Sequence, residues 1–219
     1  MNRREALSYV GILLGGTIIG ADAFLAGCKP SVKKEGLFQP EDLALLDEIA
    51  ETIIPATPDS GGGKAAGLTT FMSHIITDCY TENERNVMLK GIDELKKDCL
   101  AKHKKDFINL TRSEKEIFLT QLHEEALRYV KTDAYMKAKE TFDKQQDSWV
   151  KSEKERKNFG AAYLKENFPP HYFTMMRQLT LWGYFSSEVG MTKALRYMDT
   201  PGHYDGAYPY KKGDKAWAI

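Results

Sequence analysis

The sequence lacks net charge and has no long apolar run. Its 31 Lys and Arg residues balance 31 Asp and Glu residues over 219 positions. A neutral chain has no broad electrostatic attraction to nucleic acid or to an anionic membrane. Apolar residues make up 42% of the chain and charged residues 28%, which is typical of a globular protein. The length predicts one domain once any targeting segment is removed.

Motifs that carry chemistry are also missing. The five histidines are never spaced as HxH, HxxxH or HExxH, the arrangements expected of metal ligands. No GxSxG elbow or Walker loop occurs, and the glycines Gly61–Gly63 lack the GxGxxG spacing of a nucleotide-binding loop. The residues themselves therefore predict no catalytic group, no metal and no cofactor in this chain.

The N-terminus has the pattern of an export signal. Arg3 and Arg4 precede an apolar stretch from Tyr9 to about Gly20, which is shorter than the ~20 residues of a transmembrane helix. Basic, apolar and small residues in this order are typical of a secretory signal. The adjacent arginines indicate the twin-arginine route, which carries folded proteins. We predict a signal peptide over residues 1–27.

The sequence "LAGC" at Leu25–Cys28 resembles a bacterial lipoprotein box. In such a box Cys28 is lipidated and becomes the first mature residue; the alternative is a short membrane anchor that ends in an incidental cysteine. Each buried CH₂ of an acyl chain contributes about 0.8 kcal/mol to membrane binding. We predict a lipid-anchored protein that faces the periplasm in the bacterial cell envelope, with a tether over 28–38 and a helical domain over 39–219. The membrane leaflet is not indicated.

Two cysteines, Cys79 and Cys99, follow the predicted cleavage site. An oxidising compartment permits a disulfide between them. A straight helix over 84–101, however, would carry Cys99 more than four turns away, at about 1.5 Å per residue, whereas bridged Cα atoms lie within about 7 Å. The pairing stays open. Two cysteines are too few for a Cys₄ zinc or iron–sulfur site.

Apolar residues recur at helical spacing and nowhere alternate as in a strand, so the predicted class is all-α. We expect a single irregular helical bundle domain with a C-terminal helix-and-tail segment. Pro40 suits the first turn of a helix that ends before Pro55, and Thr111 with Glu114 forms a capping box for another. Further helices are indicated at 71–76, at 87–95 and after Pro170. The polar segment 131–158 is compatible with either a solvated helix or an extended loop.

The stretch "TLWGYFSSEVGMTKALRYMDTPGHYDGAYP", residues 180–209, is the richest in aromatic residues and glycines. Gly183 indicates a close approach of another backbone, and Ser187 with Glu188 would organise the start of a following helix. Pro201 and Gly202 would stop that helix. The segment is either the last core element or a docking surface, since Tyr and Trp are favoured at interfaces.

The block "LTLWGYFSSEVGMTKALRYMDTPGHYDG" and the tail "KKGDKAWA" resemble the C-terminal signature of the gluconate 2-dehydrogenase subunit 3 family. The resemblance includes the twin-arginine start and the segment "ETIIPATPDSGGGKAAG". One departure is Ser186 where the family often has Thr before Ser-Glu. The lipoprotein box is another, and it indicates a lipoprotein branch.

The resemblance implies a non-catalytic small subunit. In that family a large GMC-type flavoprotein, which binds FAD, oxidises a sugar or sugar acid, and a cytochrome c subunit with haem c often accepts the electrons. The small subunit aids maturation of the large one and carries it through the twin-arginine translocase. No catalytic residue transfers. The candidate docking residues are Gly183, Tyr184, Phe185, Ser187, Glu188, Tyr197, Pro201, Gly202, Tyr204 and Trp217; the sequence does not divide their aromatic members between core and interface.

Two other functions remain open on the sequence. The chain could be an enzyme in its own right, with catalysis around His171, Glu188 and His203. It could instead be a stand-alone envelope lipoprotein that scaffolds a complex or binds a ligand. The sequence of this chain does not indicate the sugar substrate, because the partner subunit would bind it.

Overall fold

The computed structural model describes residues 37–198 and 205–218. Their α-helices are α1 (Pro40–Ile53), α2 (Leu68–His74), α3 (Glu82–His103), α4 (Arg112–Tyr129), α5 (Asp133–Glu155) and α6 (Tyr172–Ser186). Short 3₁₀ elements lie at Phe107–Asn109 and Phe159–Leu164, and single π turns at Ile75–Cys79 and Gly190–Ala194. These described ranges contain no β-strand, which confirms the all-α prediction.

Helix α6 is the element on which most others pack. It contacts α1, α2, α3 and α4 as well as the π turn Gly190–Ala194. Eight of its 15 residues are buried, and they recur every three or four positions so that they cover more than one side of the helix. They are Tyr172, Phe173, Met175, Met176, Leu179, Thr180, Gly183 and Tyr184. A helix with this much buried surface depends on its neighbours for stability more than on its own propensity.

Local signals set the helix boundaries where the sequence predicts them. Pro40 is the first residue of α1, and the Gln39 N–H donates to Asp42 Oδ2 at 2.8 Å. The capping box before α4 is confirmed, since Thr111 Oγ1 accepts the Glu114 N–H and Glu114 Oε2 accepts the Thr111 N–H at 2.7 Å. These bonds satisfy backbone donors that the first turn of a helix leaves unpaired.

The undecided segment 131–158 contains a helix. None of the 23 residues of α5 is buried, which agrees with its polar composition. Instead of entering the core, α5 packs along the chain that returns after it. Phe168 lies 5.2 Å from the ring of Tyr135 and 5.5 Å from that of Phe142, and Lys165 pairs with Asp147 at 2.6 Å.

The two cysteines of the helical unit are free thiols. Cys79 is exposed at the end of its π turn, whereas Cys99 is buried more than four turns along α3. The Cys99 thiol donates to the Lys105 carbonyl oxygen at 3.4 Å, and burial raises its pKa. The disulfide that the sequence left open is therefore absent from the structure.

Helix α3 crosses α6 at a glycine. An added Cβ on Gly91 would lie only 2.0 Å from Cγ and 2.4 Å from Cβ of Tyr172. These atoms are next to the α6 backbone and not at the flexible end of a side chain. The two helices therefore approach more closely than any larger residue at position 91 would allow.

We expect Gly91→Ala to lower the free energy of unfolding by about 1–3 kcal/mol, the usual cost of overpacking. Alanine is the better helix former by about 1 kcal/mol, but the clash with Tyr172 outweighs that gain. Urea unfolding followed by circular dichroism measures the change. Gly160→Ala is the matched control, because the nearest atom to its added Cβ is 3.7 Å away. Equal stability of the two variants would contradict the close crossing.

Candidate functional site

The last turn of α6 and the C-terminal tail expose a group of aromatic side chains. We call this group the C-terminal surface; its residues are Trp182, Phe185, Tyr197, Tyr208 and Trp217. Trp182 meets the ring of Phe71 edge-on at 5.2 Å, and Phe185 meets that of Tyr184 at 5.3 Å. Rings held in this way by neighbours lose little further freedom when a second protein covers them.

Two of the candidate docking residues belong to the core instead. Tyr184 is only 3% exposed, and its hydroxyl donates to the Gly61 carbonyl oxygen at 2.7 Å while lying 2.6 Å from Ser60 Oγ. Gly183 is buried, and an added Cβ there would lie 2.6 Å from Cδ1 of Phe71. The expected close approach thus exists, but the neighbour is a side chain of α2 and not the backbone of another segment.

Ser187 organises the chain after α6 as its sequence context predicts. Its hydroxyl donates to the Tyr184 carbonyl oxygen at 2.7 Å and accepts the Gly190 N–H at 3.1 Å. The following element is a π turn and not a regular short helix. Gly190 lies so close to the Tyr184 carbonyl that an added Cβ would be 1.9 Å from its oxygen. Glu188 is exposed at the start of this turn.

Trp182 is not among the docking residues predicted from the sequence. In the structure its side chain is 57% exposed, and that of the predicted residue Phe185 is 45% exposed. The two residues are three positions apart, so they share one side of α6. The signal that could have found Trp182 is that spacing.

The C-terminal tail pairs with the segment that follows the π turn Gly190–Ala194, through one isolated β-bridge between Trp217 and Arg196. The Arg196 N–H donates to the Ala216 carbonyl oxygen at 2.8 Å, and the Ala218 N–H donates to the Arg196 carbonyl oxygen at 2.7 Å. The Arg196 guanidinium lies 4.4 Å from the ring centre of Trp217 and 5.6 Å from that of Tyr208. We call this arrangement the tail clamp. The sequence did not indicate it, because no periodic pattern connects positions so far apart.

The glycine-rich loop after α1 lies against the end of α6. Glu51 accepts the N–H groups of Ala56 and Lys64, each at 2.9 Å, and so closes the loop. Gly62 faces that carboxylate, and an added Cβ would lie 2.4 Å from its oxygens. Through Tyr184, the two sequence segments that carry the family resemblance are therefore in direct contact.

Two of the residues suggested for an independent enzyme, His171 and Glu188, do not lie close together. His171 begins α6 and Glu188 follows its end, and a 15-residue helix is about 22 Å long at roughly 1.5 Å per residue. The two side chains cannot act on one small substrate. His171 is a capping residue: its Nδ1 accepts the Phe173 N–H at 3.2 Å, and its ring stacks on Tyr172 at 4.4 Å.

Within residues 37–198 and 205–218, no three His, Cys, Asp or Glu side chains are grouped so as to hold a metal ion. No helix of this described part has the length and apolarity to cross a membrane. The C-terminal surface is therefore the feature of this part of the chain that best suits a functional site.

The family model of gluconate 2-dehydrogenase subunit 3 matches residues 40–202. The chain belongs to the gluconate 2-dehydrogenase subunit 3 family. The match begins at the first residue of α1, includes all six α-helices and the π turn after α6, and confirms the recognition made from the sequence. Gluconate 2-dehydrogenase subunit 3 is by its name a subunit of a dehydrogenase complex. No match was found among curated proteins or among solved structures.

Several predicted site residues lie outside the described residues. These are Arg3 and Arg4 of the export signal, Cys28 of the lipoprotein box, and Pro201, Gly202, His203 and Tyr204 of the C-terminal segment. Their roles stay predictions from the sequence.

We expect His171 to make the domain less stable in mild acid. Burial lowers the pKa of His171 from its ordinary value of 6.5, so below that pH the unfolded chain binds the proton first. The free energy of unfolding should fall as the pH drops below about 6.5, because a protonated Nδ1 no longer accepts the Phe173 N–H. Urea unfolding between pH 7.5 and pH 5, approximately the range in which histidine titrates, measures the slope.

His171→Asn keeps a capping side chain that does not titrate, and should flatten this part of the curve. His74→Asn, at an exposed position, is the control. If His171→Asn and the wild type lose stability in parallel, His171 is not the group responsible.

Proposed function

We propose that this protein is the non-catalytic small subunit of a periplasmic, FAD-dependent sugar or sugar-acid dehydrogenase. Its partner is a GMC-type flavoprotein that binds FAD and carries out the oxidation, and a cytochrome c with haem c receives the electrons. The small subunit binds the flavoprotein before export and escorts it through the twin-arginine translocase by means of Arg3 and Arg4. Lipidation of Cys28 then holds the complex on the membrane.

The observation that carries this proposal is the C-terminal surface within a chain of this family. The core ends at Tyr184, yet the next turns and the tail present large aromatic rings to solvent. Trp and Tyr on a surface are enriched where another protein covers them. The family name supplies the kind of complex.

Two tryptophans of the C-terminal surface test the docking role. Trp182→Ala and Trp217→Ala should each weaken capture of the co-expressed flavoprotein by about thirtyfold, since an interface aromatic typically contributes about 2 kcal/mol. Capture by a tagged small subunit and dye-linked dehydrogenase activity in cells are the measurements. The melting temperature of the isolated subunit should change little, because neither side chain belongs to the buried core: Trp182 is 57% exposed and Trp217 40%.

Trp149→Ala on α5 is the matched control, because Trp149 is exposed by a similar 38%. It should leave capture and activity at the wild-type level. The docking role fails if the two test variants capture the flavoprotein as well as Trp149→Ala does, or if both unfold the isolated subunit.

The escort role requires the arginine pair. Replacing Arg3 and Arg4 together by Lys should keep both the small subunit and the flavoprotein in the cytoplasm, because the folded-protein route recognises the pair. Cell fractionation with immunoblotting of both proteins measures this. The double variant Lys33→Arg and Lys34→Arg is the control and should export normally. Export of the flavoprotein at the wild-type rate without the arginine pair would contradict the escort.

A further inference from the structure

The two exposed rings at the end of α6 each meet a second aromatic ring nearly at right angles. Trp182 contacts Phe71 of α2 with the ring planes at 87°, and Phe185 contacts Tyr184 with the planes at 85°. This edge-to-face arrangement is one of the geometries that aromatic pairs prefer. Each exposed ring therefore has a neighbour that favours one orientation of its side chain.

Gly183 makes room for the ring that contacts Trp182. An added Cβ at Gly183 would lie 2.6 Å from Cδ1 of Phe71 and 3.0 Å from Cδ2 of Leu68, so the Phe71 ring occupies the space that a side chain at 183 would need. Leu68 is buried, whereas Phe71 is only partly buried. Phe71 thus connects the core contact between α2 and α6 with the exposed ring of Trp182.

The exposed side of α6 around these rings carries no charge. No charged residue occurs from Gln178 to Ser187, although 28% of the whole chain is charged. The exposed members of this segment are Gln178, Trp182, Phe185 and Ser186. Such a surface suits an apolar patch on a partner, because a charged group placed against it would lose its water without gaining an opposite charge. Its contribution to binding should therefore not depend on salt.

We propose that Phe71 is a positioning residue that holds Trp182 in the orientation in which it binds an apolar patch on the flavoprotein. The inference rests on the proposed function, which takes the flavoprotein as the partner because the family is by its name a subunit of a dehydrogenase. Phe71 acts through Trp182. Its ring fixes the indole before binding, so the indole loses less rotamer freedom when the partner covers it.

The first test removes the ring at position 71 and keeps an apolar side chain. Phe71→Leu and, independently, Phe71→Met should let the indole of Trp182 move more freely. Time-resolved fluorescence anisotropy measures this in the full chain, purified in detergent, with Trp149 and Trp217 replaced by Phe so that Trp182 alone emits. Phe71→Tyr keeps an aromatic ring and should restore the wild-type anisotropy. Phe142→Leu on α5 is the matched control, because Phe142 is likewise partly buried.

The second test asks whether Phe71 acts on binding through Trp182. With all other tryptophans present, Phe71→Leu should weaken binding of the full chain to the co-expressed GMC-type flavoprotein by about three- to tenfold, as expected for one large side chain that must be ordered on binding. In a Trp182→Ala background the same change should have no further effect, because the side chain that it positions is gone. The loss should be equal at low and high salt. Phe71→Tyr and Phe142→Leu should bind like the wild type.

The outcomes separate this inference from the proposed function. If the wild type does not bind the flavoprotein, the proposed function fails and the inference falls with it. If the wild type binds, the positioning role is overturned by unchanged anisotropy or affinity in Phe71→Leu and Phe71→Met, by unfolding of both variants, or by an equal loss with and without the Trp182 indole. A loss that disappears at high salt overturns the apolar patch. A wild-type dimer that Trp182→Ala dissociates, measured by analytical ultracentrifugation, would assign the surface to a second copy of this chain instead.

Discussion

The packing of α6 on four neighbouring helices is the constraint on which the rest of this structure depends. A helix buried on several sides can be approached closely only where a side chain is missing. Glycines occupy the tightest contacts: Gly91 faces Tyr172, Gly183 faces Phe71, and Gly190 faces the carbonyl of Tyr184. Gly91 permits the close crossing with α3, and Gly183 permits the contact with α2. Gly190 permits the sharp turn after which the chain continues to the tail. Because both α2 and the turn meet α6 near Tyr184, the end of the core is also the base of the C-terminal surface.

The sequence predicted what depends on local and periodic signals. The start of α1 at Pro40 and the capping box at Thr111 were visible because proline and capping residues act within one turn. Helix α5 was not decided, since its apolar residues are sparse and none of its 23 residues is buried. The tail clamp was invisible for another reason: a contact between Arg196 and Trp217 depends on the path of the chain between them and not on any local pattern.

The two segments by which the family is recognised meet in space at Tyr184. Its hydroxyl binds Ser60 and Gly61 of the glycine-rich loop, while its own backbone carbonyl receives the Ser187 hydroxyl. Both segments therefore have structural roles. A glycine-rich loop is often associated with phosphate binding, but here Glu51 occupies its backbone donors from inside the same chain. An anion would have to displace that carboxylate.

The opposite sides of α6 divide its aromatic residues between the core and the exposed surface. Tyr184 is held by two polar contacts inside the chain, so replacing it changes folding first and binding only as a consequence. Trp182 and Phe185 lie one turn apart on the exposed side, where replacement should weaken the proposed docking with little effect on the core. Under the proposed docking role, folding and binding depend on different residues within a single turn of helix. The tail holds the exposed Trp217 by a contact with Arg196, outside the buried residues of α6.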